Sequence, residues 1–151
     1  MYNLCVRLVV DYEEAKDILQ ESFVDAFRSY GKLNNKEAFG GWLKQIVIRN
    51  SIKYLKKKPS LYTLSEEYEQ LEDSDDEGWF MELSFNEIHK EIKELPNGCR
   101  QVFVLFVLER YSHKDIAALL GVSESTSKNQ FQRARRLLQQ RLIKNLKRNE
   151  T

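Results

Sequence analysis

The sequence predicts an all-α fold of two small helical domains, residues 1–58 and 81–151, joined by a flexible acidic linker at 59–80. Three observations carry that expectation. Six Gly and two Pro in 151 residues leave little material for the regularly spaced tight turns of an all-β domain. Apolar residues instead recur at three- and four-residue steps, the mark of amphipathic helices. Charge is also sorted along the chain: residues 1–58 hold 11 Lys+Arg and 7 Asp+Glu, residues 59–94 hold 2 and 12, and residues 95–151 hold 11 and 4. A net charge of +1 thus conceals segments of net +4, −10 and +7. A polyanion could meet both ends, while the middle would be drawn to basic surfaces.

Composition narrows the class further. With 42% hydrophobic and 11% aromatic residues the chain can fill a core. No apolar run approaches the roughly 18 to 20 residues of a membrane helix, so membrane insertion is not expected. Cys5 and Cys99 make no disulfide framework, and neither has a ligand partner at metal-binding spacing, so no metal or cofactor is expected and both read as small buried hydrophobes. The N-terminus shows no basic leader and no small-residue cleavage site, which points to a cytoplasmic protein. His89 and His113 lie far apart without a nucleophile beside them, so each reads as a surface or helix-end residue and enzymatic chemistry is not expected.

In the first domain, Ala15, Ile18, Leu19, Ser22, Phe23, Ala26, Phe27 and Tyr30 trace one helix face, closed by Gly31. A second stripe runs through Phe39, Trp42, Leu43, Ile46 and Val47 toward Leu55. Asn50 falls on or beside it, where a buried amide needs either a bond to the neighbouring helix or an external ligand. Pro59 disfavours helical geometry in the residue before it and marks the domain boundary. In the linker, Glu72-Asp73-Ser74-Asp75-Asp76-Glu77 repels itself too strongly to pack.

The second domain opens with the stripe Met81, Phe85, Ile88, Ile92 and Leu95, broken by Pro96-Asn97-Gly98. The run from Val102 to Leu108 is too continuously apolar for a half-exposed helix and predicts the most buried segment. Ser112 with Asp115 forms a capping box that starts a short helix, Gly121 closes it in the left-handed conformation, and Ser123 caps the next helix. Two helices across a three-residue turn, in the sequence Ile116-Ala117-x-Leu119-Leu120-Gly121-Val122-Ser123, are the helix-turn-helix signature. The last helix, expected to run about 20 residues or about 30 Å, points Phe131, Ala134, Leu138 and Leu142 inward. That leaves Lys128, Gln132, Arg133, Arg136 and Arg141 to solvent or DNA.

On these residues the chain resembles a bacterial RNA polymerase sigma factor of the extracytoplasmic-function (ECF) group over nearly its whole length. Asp17-Ile18-Leu19-Gln20-Glu21-Ser22-Phe23 is similar to that family's region 2.2, and Phe39-x-x-Trp42-Leu43-x-x-Ile46-x-x-x-Asn50 to its regions 2.3 and 2.4. Leu95-Pro96-x-x-x-Arg100-x-Val102-Phe103 and the segment from Tyr111 to Ser123 are similar to region 4. The resemblance implies that Asp17, Gln20 and Glu21 bind the clamp coiled coil of core RNA polymerase, with the flap as a further contact. It implies that the −10 promoter element meets the loop carrying Asn34, Asn35 and Lys36, together with Arg49, Asn50, Lys53 and Lys56. The asparagines would read an extruded base and the cations would hold phosphates. Trp42 would either stack on bases or belong to the core. The −35 element would meet Ser125, Lys128, Asn129, Gln132 and Arg133, with Ser112 and Arg136 on the DNA backbone. The acidic linker would thread toward the RNA exit path, and an anti-sigma factor is the expected regulatory partner.

Three departures from the family pattern stand out. The family has a further helix or more before the segment matching Leu4 to Val10. Ser125 and Ser127 replace the usual Gly and Val, which predicts looser packing at the start of the recognition helix. Arg110 stands where Gly commonly ends a helix, at a cost of about 1 kcal/mol if positive φ is required. The competing functional readings are an autonomous helix-turn-helix regulator independent of core polymerase, and a helical adaptor binding only protein. The latter leaves the basic recognition face unexplained.

Overall fold

Every regular element among the described residues, 1–57 and 85–149 of a computed structural model, is helical. The linker expected at 59–80 and Met81 lie outside the described residues. Helix contacts divide the chain into two units, one built from the helices before the linker and one from those after it.

The first unit contains α1 (Tyr2–Val9), α2 (Tyr12–Ser29) and α3 (Phe39–Lys57), which pack on one another. Val10 ends α1 at φ 72°, a left-handed conformation that a β-branched residue adopts only under strain, and donates its N–H to the Val6 carbonyl at 2.8 Å. Asp11 caps α2 by accepting from the N–H groups of Glu13 and Glu14 at 3.0 and 3.2 Å. Leu4, Cys5 and Leu8 form the core with Val47, Ile48, Ile52 and Leu55. Cys5 Sγ lies 3.4 Å from Ser51 Oγ, so this thiol is a packed core group.

The face that α2 buries differs from the expected stripe. Ala15, Ile18, Ser22 and Ala26 are its buried residues, whereas Phe23 is 44% exposed and Phe27 87%. At about 100° per residue, Phe23 and Phe27 stand to the side of the arc formed by Ala15, Ile18, Ser22 and Ala26, so both rings face outward. Ser22, fully buried, donates its hydroxyl to the Ile18 carbonyl at 2.7 Å. On α3 the buried line is likewise rotated, toward Leu43, Val47, Ile48, Ser51, Ile52 and Leu55; Phe39 is exposed, and Trp42 and Ile46 are half-buried.

The second unit contains α4 (Phe85–Lys93), α5 (Asn97–Phe103), α6 (His113–Leu120) and α7 (Glu124–Asn149). α7 packs on the other three. At 26 residues, about 39 Å, it is longer than the sequence led one to expect. α5 continues into a π-helical stretch, Val104–Leu108, and the segment Val102–Leu105 is the buried centre. Arg110 follows at φ 58°, so the strained position anticipated there is real. The Arg100 guanidinium is buried, donating to the Leu95 carbonyl at 2.8 Å and to Asn97 Oδ1. Burial lowers its pKa to about 10. Cys99, buried, donates to Gln130 Oε1 at 3.0 Å, and burial raises its pKa to about 11.

Candidate nucleic-acid interface

Three local devices build the helix-turn-helix. Ser112 Oγ accepts the Asp115 N–H at 3.1 Å and starts α6. Gly121, at φ 70°, ends it, and its left-handed backbone is the reason a residue without Cβ stands there. Ser123 Oγ accepts the Thr126 N–H at 3.0 Å and starts α7. The turn between the two helices is therefore Gly121-Val122-Ser123, as read from the sequence.

α7 then sorts its faces. Phe131, Ala134, Leu138 and Leu142 are buried. Ser125, Lys128, Arg133 and Arg136 are exposed, and Asn129 and Gln132 are half-buried beside them. All six lie on one outward arc, with Lys128 Nζ 3.8 Å from Glu124 Oε1 in an exposed pair. Arg141, expected outward, is half-buried, and Arg135 is buried. The looser packing expected at Ser127 is not found: Ser127 is fully buried and its Oγ lies 2.9 Å from His113 Nδ1. His113 begins α6 as a helix-end residue, but it is half-buried rather than a surface group. Burial, then the nearby Lys128, lower its pKa, while Glu124 acts in the opposite sense.

In the first unit, short 3-10 turns at Tyr30–Lys32 and Lys36–Ala38 frame the loop. Asn34 is exposed. Asn35 Oδ1 caps the second turn by accepting the Glu37 N–H at 3.0 Å. Lys36 Nζ donates to the Tyr30 carbonyl at 3.1 Å and sits 3.6 Å above the Tyr30 ring, a cation–π contact. Tyr30, Phe39 and Trp42 form an aromatic chain with centroid steps of 5.9 Å. Arg49, Lys53 and Lys56 are exposed along one side of α3. Asn50 resolves the choice its position posed, because its Nδ2 donates to Ser22 Oγ and to Asp25 Oδ2, both at 3.0 Å. The amide clasps α2 to α3, and only its carbonyl oxygen is left to face a ligand.

Asp17, Gln20 and Glu21 are exposed on α2. Val24, Phe23 and Phe27 continue their surface toward the helix C-terminus, 48%, 44% and 87% exposed. Periodicity alone missed these apolar residues as surface groups, although the small residues at Ser22 and Ala26 were the available sign that the buried line ran elsewhere. Among the described residues no group of three or more His, Cys, Asp or Glu is placed to hold a metal ion, and no helix is long and apolar enough to cross a membrane.

Comparison with known proteins adds an independent line. Residues 1–60 match the family described as Sigma-70 region 2, and residues 85–138 match Sigma-70, region 4. The chain is 30% identical over 155 residues to the ECF RNA polymerase sigma factor SigW of Bacillus subtilis, a match spanning 94% of this chain and 82% of SigW. It is 26% identical over 143 residues to RNA polymerase sigma factor SigV of the same organism, spanning 95% and 84%. It is 28% identical over 152 residues to the RNA polymerase sigma-H factor of Pseudomonas aeruginosa, spanning 93% and 79%. Among solved structures, the sigma factor RpoE of Bartonella quintana, in complex with the anti-sigma factor NepR, shares the fold with a TM-score of 0.56 at 20% identity, covering 94% of this chain and 89% of that one.

Proposed function

The chain belongs to the sigma-70 family, in its extracytoplasmic-function group, and from that premise we infer that it is a promoter-specificity subunit of RNA polymerase. It binds core polymerase, directs it to promoters and supports initiation, with the first domain toward the −10 element and the second toward the −35 element. Members of this family act by binding and perform no catalysis of their own. The cytoplasm, where polymerase and promoter DNA meet, is its place of action. An anti-sigma factor is the regulatory partner, as the Bartonella relative was solved with one.

The observation that carries this reading is the capped helix-turn-helix with a continuous polar and basic outer face on α7, in one chain with a second sigma-type domain. Lys128 and Arg133 suit guanine edges or phosphates, and Asn129 and Gln132 suit adenine. Ser125 reaches the same groove, while Ser112 and Arg136 contact the DNA backbone. In the first domain Arg49, Lys53 and Lys56 supply phosphate contacts. Asn34 is the better base reader of the loop, because Asn35 is engaged as a cap, Lys36 on Tyr30, and Asn50 in the α2–α3 clasp. Asp17, Gln20 and Glu21 bind the polymerase clamp, and the neighbouring aromatic surface of α2 extends that contact. An autonomous regulator is not favoured, since it would leave the first domain without a task.

Run-off transcription by purified core polymerase on a promoter library tests the assignment. Specific transcripts should require this chain, and replacing Asp17, Gln20 and Glu21 by Ala should abolish holoenzyme formation. Specific, tight promoter binding by the chain without core polymerase would overturn it.

A further inference from the structure

The helix-turn-helix contains one polar contact that joins three elements. His113 follows the Ser112 cap, and its Nδ1 lies 2.9 Å from Oγ of Ser127 in the first turn of α7. The imidazole also stacks on Phe106, with centroids 4.3 Å apart and 15° between planes, and meets Phe131 edge-on at 5.8 Å. Phe106 comes from the π-helical stretch, whose wider turn changes the direction of side chains relative to an α-helix. The ring is thus held by packing on its faces and by a hydrogen bond at its edge.

Ser127 is fully buried, and a buried hydroxyl without a partner is destabilising. Its backbone N–H donates to the Ser123 carbonyl at 3.0 Å, so the first turn of α7 is fixed at one end by the Ser123 cap and along its inner side by His113. Ser125, Lys128 and Asn129 all lie within two residues of Ser127. We propose that His113 is a positioning residue for promoter reading: by holding Ser127 it fixes the height and rotation of the turn that presents Ser125, Lys128 and Asn129 to the major groove. This rests on the −35 assignment of α7.

The same contact makes the placement sensitive to acid. A neutral imidazole can donate to the hydroxyl or accept from it; an imidazolium has donors on both nitrogens and can only donate. Where Ser127 donates to Nδ1, protonation reverses the bond and turns the Ser127 proton away from the ring. The charged groups acting on the ring from α7 are Lys128, which disfavours the cation, and Glu124, which favours it. Lys114 and Asp115 follow His113 on its own helix and are exposed, and the π-helical stretch contributes the uncharged Phe106. Burial and Lys128 hold the folded-state pKa below the ordinary value of 6.5. The stability contributed by the buried neutral ring is then fully present above the unfolded-state pKa of about 6.5 and is lost as pH falls through the lower folded-state value.

The test uses holoenzyme assembled from core polymerase and the full chain, on a promoter selected from a randomised −35 library. At about pH 7.5, Ser127→Ala and His113→Phe should each weaken promoter affinity about 3- to 10-fold, the net worth of one hydrogen bond, with core affinity unchanged. The double variant His113→Phe/Ser127→Val, apolar against apolar, should restore affinity to within about twofold. It should also lack the fall in affinity that the parent shows as pH is lowered below about 6.5. Unchanged affinity in both single variants, while Lys128→Ala weakens it, overturns the positioning role and leaves the assignment of α7 intact. Unchanged affinity in all three overturns that assignment too. A double variant that merely adds the two losses, or keeps the parent's pH profile, also rejects the proposal.

Discussion

Replacing Asn50 with Ala should destabilise the first domain before it affects any DNA. The side chain makes two bonds at 3.0 Å, one to the fully buried hydroxyl of Ser22 and one to the Asp25 carboxylate. A neutral hydrogen bond contributes about 0.5–1.5 kcal/mol and one to a charged group about 1.5–3. Both Asn50 and Asp25 are half-buried, so water recovers part of what is lost at the carboxylate, and the expected destabilisation is about 2 kcal/mol. Asn50→Asp should exceed it at neutral pH, because a second carboxylate then faces Asp25. The measurement is urea unfolding followed by Trp42 fluorescence in a Trp79→Phe background, so that the signal reports the first domain alone. A midpoint shift equivalent to less than about 0.5 kcal/mol, with promoter opening nevertheless lost, would refute the clasp and return Asn50 to the DNA.

Four further outcomes follow from the geometry. Arg110→Gly relieves a residue held at φ 58° and should raise the stability of the second domain by about 1 kcal/mol, read as a higher thermal midpoint. Lys128→Ala should weaken promoter binding by the holoenzyme and reduce the slope of log affinity against log salt by about 1, while core binding persists. Phe27→Ser should leave the unfolding free energy within about 0.5 kcal/mol of the parent, since the ring is 87% exposed, yet lower affinity for core polymerase in a titration. Cys99, its pKa raised to about 11 by burial, should resist thiol-specific reagents at about pH 8 in the folded chain and react once urea unfolds it.

What the sequence made legible was governed by neighbours in the chain. Ser112, Gly121 and Ser123 act on backbone groups a few residues away, so their spacing alone predicts the turn, and the inner line of α7 from Phe131 to Leu142 follows from helical repeat. The motifs of both domains likewise made the family resemblance readable. What was hidden depends on tertiary approach. Phe23 and Phe27 lie within the wide arc that periodicity marks as apolar, yet the face that packs is the narrower one through Ala15, Ile18, Ser22 and Ala26, which leaves both rings outside. Asn50 posed a choice that only the position of Asp25 decides. The His113–Ser127 bond joins residues fourteen apart through packing on a π-helical stretch that no spacing rule foretells. Arg100 and Arg135 belong to the same class, charged residues that the fold takes inside.

The uncovered rings of α2 bear on how such a chain must be handled by the cell. Until a larger assembly sits on it, each fresh copy carries a greasy handle that other copies, chaperones and proteases can seize. Held free at high concentration, the chain is expected to associate with itself through these rings, and a partner that covers them is expected to suppress that association.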